Sequence, residues 1–103
     1  MFTKAYRNYL RSPEWARKRQ ECFAIHGKRC KACQTVKPPI HVHHLDYRRL
    51  GNESARYDLM PLCIKCHKEV TRIYRRNRRR GLRRVTLEFV AAKRRKMNGP
   101  PTR

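Results

Sequence analysis

Two Cys-x-x-Cys pairs, Cys30/Cys33 and Cys63/Cys66, stand 29 residues apart in a chain of 103. Each such turn brings two thiolates together, and two turns supply the four-sulfur tetrahedron that zinc prefers. A zinc held by four protein ligands is structural and has no open position for chemistry. Two disulfides or a redox pair would use the same cysteines, but only in an oxidising or redox-active setting. Between the pairs lie His43-His44-Leu45-Asp46-Tyr47, Gly51-Asn52-Glu53 and Asp58-Leu59, and His67 directly follows Cys66. Imidazoles bind divalent ions and accept protons near neutral pH. Hydrolysis of a phosphodiester needs an activated water, a Lewis acid on a non-bridging oxygen and stabilisation of the leaving oxygen. Adjacent residues near a strand end project to opposite sides. One of His43 and His44 can therefore hold a metal while the other faces water.

Positioning these side chains falls to three stretches of one small domain. Residues 1–27 read as helical. Ser12-Pro13-Glu14 is a helix start, with a capping hydroxyl, a proline suited to the first position and an acid at the positive end of the dipole. Trp15, Cys22, Phe23 and His26 follow at helical spacing, and Gly27 is the stop. Tyr6, Tyr9 and Leu10 form a shorter turn before it, for packing. Cys22 reads as a buried thiol and His26 as a packing histidine. Residues 28–80 are the zinc-stapled core, in the order strand, loop, strand, helix. Ile40–Leu45 is the first strand candidate and Leu59–Leu62 the second, with Pro61 restricting it to a sheet edge or strand end. A helix is expected from about Cys66 into the arginines. Residues 81–103 form a basic helix and flexible tail. There Gly81 breaks the helix, Thr86 caps a short one over Leu87–Ala92, and Asn98-Gly99-Pro100-Pro101 is loose.

The charge balance points to a polyanion. Against 28 Lys+Arg there are 7 Asp+Glu, a net charge of +21, with a pI near 11.1 and a mean hydropathy of −0.98. A charge this high repels itself in the compact state and favours an anionic partner; nucleic acid is the first candidate. No stretch approaches the roughly 20 apolar residues of a membrane span, and the first residues lack a signal peptide's apolar core. The expectation is a soluble, cytoplasmic protein that uses no membrane. Spacings of three and four place Arg72, Arg75, Arg76, Arg79, Arg80 and Arg83 on one side of a continuing helix. As phosphate contacts they supply affinity without reading sequence, so binding should depend steeply on salt.

The segment His43–His67 resembles the HNH endonuclease family, in particular small phage-type members. Those carry a His-His-x-x-Tyr, Gly-x-Glu, Asp-Leu-x-x-Leu-Cys-x-x-Cys-His pattern between two zinc knuckles. Tyr9-Leu10-Arg11-Ser12-Pro13-Glu14-Trp15 is similar to that family's N-terminal helix. The resemblance implies an α+β fold: a small zinc-stapled ββα-metal domain with N-terminal helices and a basic helical C-terminus. It implies a divalent-metal-dependent DNA endonuclease with His44 as general base and His43 and His67 as ligands of the catalytic ion. Structural Zn²⁺ would sit at Cys30, Cys33, Cys63 and Cys66. The catalytic ion would be Mg²⁺ or Mn²⁺, with Ni²⁺, Co²⁺ or Zn²⁺ as further candidates by imidazole affinity. Asp58 stands where the family name places Asn and would hold the catalytic loop. Thr71 stands where some relatives have a further histidine. A phage or prophage setting in a bacterial host, beside the genome-packaging terminase, is also implied, with the protein acting as monomer or dimer. His41 alternates with His43 on the same strand face and either joins the site or is exposed, exposure being the expectation. Glu53 either orients His44 or pairs with an arginine. The rival function is a zinc-dependent nucleic-acid-binding protein without catalysis. The histidines argue against it, since a pure binder needs only the cysteines and arginines.

Overall fold

The computed structural model describes residues 3–97. The chain opens with α1 (Lys4–Leu10) and α2 (Pro13–His26), joined at Ser12. The Ser12 hydroxyl accepts the Trp15 N–H at 3.2 Å and donates to the Tyr9 carbonyl at 2.6 Å, so one side chain ends α1 and starts α2. Gly27 closes α2 at φ 84°, a backbone angle that a side chain would strain.

Strands β1 (Ile40–His44) and β2 (Leu59–Cys63) form a two-stranded antiparallel sheet. In its register His43 faces Met60 and His44 faces Leu59. Pro61 is tolerated because this sheet has only two strands. Its carbonyl accepts the Lys31 N–H at 2.9 Å, which ties the first knuckle to the second strand. The chain then enters α3 (Ile64–Arg76), two residues earlier than the cysteine spacing suggested. The reason is local: Cys63 caps this helix, its sulfur accepting the Cys66 N–H at 3.4 Å. The expected strand–loop–strand–helix order is thus present, and the fold is α+β.

The C-terminal region departs from expectation. α3 stops at Arg76, Arg78–Arg80 form one 3-10 turn, and α4 runs over Leu82–Met97. Gly81, expected to break the helix, instead closes the 3-10 turn at φ 85°, because α3 has already ended at its Asn77 cap. Thr86 does not cap a short helix. It lies one turn inside α4, fully buried, because its hydroxyl is engaged by His43, while the Gly81 carbonyl takes the Val85 N–H that opens the helix. The expected loose tail from Asn98 lies outside the described residues. Two apolar clusters flank the sheet. One gathers Ile40, Leu45, Met60, Leu62, Val70 and Val90 around the cysteines; the other packs Trp15, Cys22, Ala55 and Leu59. Cys22 is buried, with its thiol pushed up to about 12 by desolvation, and His26 is satisfied by the Ala55 carbonyl at 2.9 Å. No described helix is long and apolar enough to cross a membrane.

A core of this size in a chain carrying +21 depends on its staple. Structural zinc in small peptides contributes roughly 10–16 kcal/mol apparent. Cys63→Ser removes a ligand while keeping a hydroxyl able to cap α3, and circular dichroism should show the helical signal lost at 25 °C. Retention of a wild-type spectrum and melting midpoint would contradict the staple.

Candidate active site

The four cysteine sulfurs lie within 4.8 Å of one another, the one such group of three or more candidate metal ligands among the described residues. Sulfurs at 2.3 Å from a tetrahedral zinc are about 3.8 Å apart, and Cys33 and Cys63 Sγ are separated by 3.7 Å. The donor set therefore fits zinc in number, chemistry and spacing. Burial raises the Cys30 thiol, but the backbone donors of Cys33, Cys63 and Ala32 outweigh it and bring it to about 7. This backbone cradle favours the thiolate at Cys30, while burial raises the thiols of Cys33 and Cys66.

Both cysteine pairs meet the sheet at its Ile40–Cys63 end, and β1 delivers His43 and His44 at the other. His44 is buried and stacked against two rings. The Trp15 ring lies 4.8 Å away at 13°, and the Tyr47 ring 4.9 Å away at 26°. Its Nε2 sits 2.7 Å from Glu53 Oε2, and Glu53 Oε1 accepts the Tyr9 hydroxyl at 2.6 Å. Burial would raise the Glu53 carboxyl, but the hydrogen bonds from Tyr9 and His44 prevail and hold it low. An ionised carboxylate only accepts, so Nε2 is the nitrogen through which His44 donates to Glu53. This is the arrangement of a proton acceptor oriented by an acid. Of the two roles open to Glu53, the structure shows the first.

His43 is also buried, and its Nε2 lies 2.9 Å from the Thr86 hydroxyl. Its ring meets that of His67, the fourth residue of α3, edge-on at 5.0 Å. Burial above all, then the neighbouring imidazoles, depresses His43 to about 3 and His67 to about 4. Both rings therefore stay neutral at physiological pH, the form that binds metal. His41 is not the exposed residue expected. It is half-buried, and its Nδ1 lies 3.0 Å from the Nδ1 of His67.

Asp58 is fully buried and held below the usual carboxylate range, first by the Arg49 guanidinium. Arg49 reaches both of its oxygens at 2.6 and 2.8 Å, Ser54 N–H donates at 2.8 Å, and Arg83 donates at 2.8 Å. With these partners Asp58 braces the loop between the strands. Its own carbonyl takes the Leu45 N–H, immediately after His44. Arg83 also grips Asp46 and the Tyr57 carbonyl, so α4 locks onto the same loop.

The arginine run does not form the single helical face expected, because α3 ends at Arg76. Arg72, Arg75 and Arg76 line a groove of about 590 Å³ together with Lys68, His41 and His67. Arg79 is exposed on the 3-10 turn, Arg80 pairs with Glu88, and Arg83 is committed to the loop. A second cleft, of about 280 Å³, is lined by Trp15, His44 and Tyr47 and again by His41 and His67. A cationic groove and an oriented imidazole thus meet at one histidine pair.

Residues 28–72, from the first knuckle into the arginine run, match the family model described as HNH endonuclease. That span, under half of the chain, holds both cysteine pairs, His43, His44, Asp58 and His67. The resemblance read from the sequence holds over it. Neither a curated protein nor a solved structure matches the chain. Outside the matched span stand Tyr9, Trp15, Arg83 and Thr86, each in contact with a residue of the site.

Two measurements follow from this geometry. Long-range ¹H–¹⁵N spectra of the zinc-loaded protein should show His44 as the pure Nε2–H tautomer, with mixed tautomers in Glu53→Ala; an Nδ1–H tautomer in the parent chain would contradict the arrangement. The second is pH dependence. The unfolded chain protonates His43 and His67 near pH 6.5, the folded chain only near 3 and 4. Stability present above pH 6.5 is therefore lost as pH falls towards 4, at up to about 1.4 kcal/mol per pH unit for each group. Urea midpoints of the zinc-loaded protein should fall between pH 7 and 5.5, and less so in His67→Gln. An equal fall in both chains would contradict these assignments.

Proposed function

We propose that the protein is a metal-dependent endonuclease that hydrolyses DNA phosphodiester bonds. The observation that carries this reading is His44, held through Nε2 by Glu53 and stacked against Trp15 and Tyr47, beside a groove lined by Arg72, Arg75 and Arg76. The match of residues 28–72 to the HNH endonuclease model supports the same reaction class.

In this mechanism the arginines and Lys68 bind the backbone phosphates and set one strand across the His41–His67 edge. His44 Nδ1 takes a proton from the attacking water, while Glu53 stabilises the imidazolium that forms at Nε2. His43 and His67 are the assigned ligands for Mg²⁺ or Mn²⁺, and the neutral state of both rings suits that task. When bound, such an ion supplies Lewis-acid polarisation of the phosphate and charge stabilisation at the leaving 3′-oxygen. Asp58 keeps the loop in register through Arg49 and Arg83. The products would be 5′-phosphate and 3′-hydroxyl ends. One site cuts one strand, so a monomer nicks, and a double-strand break needs two binding events or a dimer. A phage or prophage setting near the packaging terminase is part of this proposal, supported by the motif resemblance alone.

Supercoiled plasmid with Mg²⁺ or Mn²⁺ should become relaxed. His44→Ala should reduce that rate by about 10²–10⁴-fold and leave DNA binding intact. Wild-type cutting by His44→Ala would refute the mechanism, and intact plasmid with the parent chain would favour a zinc-dependent binder.

A further inference from the structure

His41 and His67 come from different elements, β1 and α3, yet their Nδ1 atoms lie 3.0 Å apart with the rings crossing at 80°. Two imidazole nitrogens reach this distance in one of two ways: one carries a proton and donates, or both lone pairs face a cation. Nitrogens at about 2.1 Å from an octahedral ion are separated by about 3.0 Å along an edge. The pair therefore has the bite of a chelate. His43 is placed differently, with its Nε2 at the Thr86 hydroxyl, and no trio of described histidines has donor atoms within 4.8 Å of one another. Thr71 offers nothing from α3, since its hydroxyl donates to the His67 carbonyl at 3.0 Å. The pair also stands where both clefts meet, so an ion there has room for waters and for a phosphate arriving from the Arg72 side.

We propose that His41 is a direct ligand of the divalent ion, chelating it together with His67. This rests on the nuclease reading of the same site and puts His41 in the place that the assignment gives His43, whose Nε2 is held at the Thr86 hydroxyl.

The test uses the full chain with zinc at the cysteines and no DNA. Mn²⁺ is titrated and the free ion followed by electron paramagnetic resonance. The parent chain should bind Mn²⁺, and His41→Ala and His41→Gln should each weaken binding at least tenfold with unchanged circular dichroism. Gln keeps an amide able to hydrogen-bond His67, so a role confined to holding that ring would be preserved in it. Parent-like affinity in His41→Gln, or no Mn²⁺ binding by the parent, overturns the proposal. In the unsubstituted chain, substoichiometric Mn²⁺ should broaden the His41 and His67 ring resonances before those of His26; broadening that spares His41 overturns it without any variant. Mn²⁺ binding that depends on His41 in a chain that cuts no DNA would support the ligand and refute the nuclease reading. Cutting with a Mn²⁺ affinity indifferent to His41 would do the reverse.

Discussion

Four thiolates drawn to one point organise this molecule. Cys30 and Cys33 sit in a loop, Cys63 ends β2 and caps α3, and Cys66 lies in the first turn of that helix. Holding their sulfurs together fixes the angle between strand and helix, and with it the approach of His43 on β1 to His67 on α3. The apolar cluster packed around the cysteines includes Val90 of α4, so the C-terminal helix is keyed to the same point. A chain with four Lys or Arg for each Asp or Glu resists compaction. The sulfur site supplies what the small core lacks.

The second principle is the use of scarce acids. Only seven are available, and three of them, Asp46, Glu53 and Asp58, fall in the loop between the strands. Glu53 orients His44, while Asp46 and Asp58 collect Arg49 and Arg83 into one ion-pair network. Buried carboxylates of this kind are costly unless fully partnered, and no buried side-chain polar atom among the described residues lacks a hydrogen-bond partner. The network ties α4 to the loop that carries the site, just as Tyr9 and Trp15 tie the N-terminal helices to His44. The face that carries His44 is thus assembled from residues on both sides of the central segment.

Much of this was legible in the sequence, for local reasons. Cys-x-x-Cys turns, the Ser12-Pro13 helix start and the Gly27 stop act through near neighbours, and each appears where its spacing placed it. The contacts that went unread are between distant residues. Trp15 reads as packing, which it is, yet the surface it packs against is His44. Thr86 resembles a cap because threonine suits caps; its hydroxyl instead meets a histidine 43 positions earlier. The arginine run appeared to be one face because three-and-four spacing assumes an unbroken helix, and the break at Arg76 sends Arg83 inward. The alternation of His41 with His43 put it on the face of the site but not against His67, since β1 and α3 come together only in the tertiary fold. One signal was available: three acids of seven within a thirteen-residue stretch of a highly basic chain mark a loop that must find its cations at home.

The proposed nuclease uses two ions with separate tasks, one bound by sulfur to hold the frame and one bound by imidazole to do chemistry. Anomalous diffraction at the zinc and manganese absorption edges, from crystals grown with both metals, resolves them directly. A zinc peak amid Cys30, Cys33, Cys63 and Cys66, and a manganese peak against the ring of His67, is the outcome expected. Zinc bound by the histidines with the cysteines bare would contradict it.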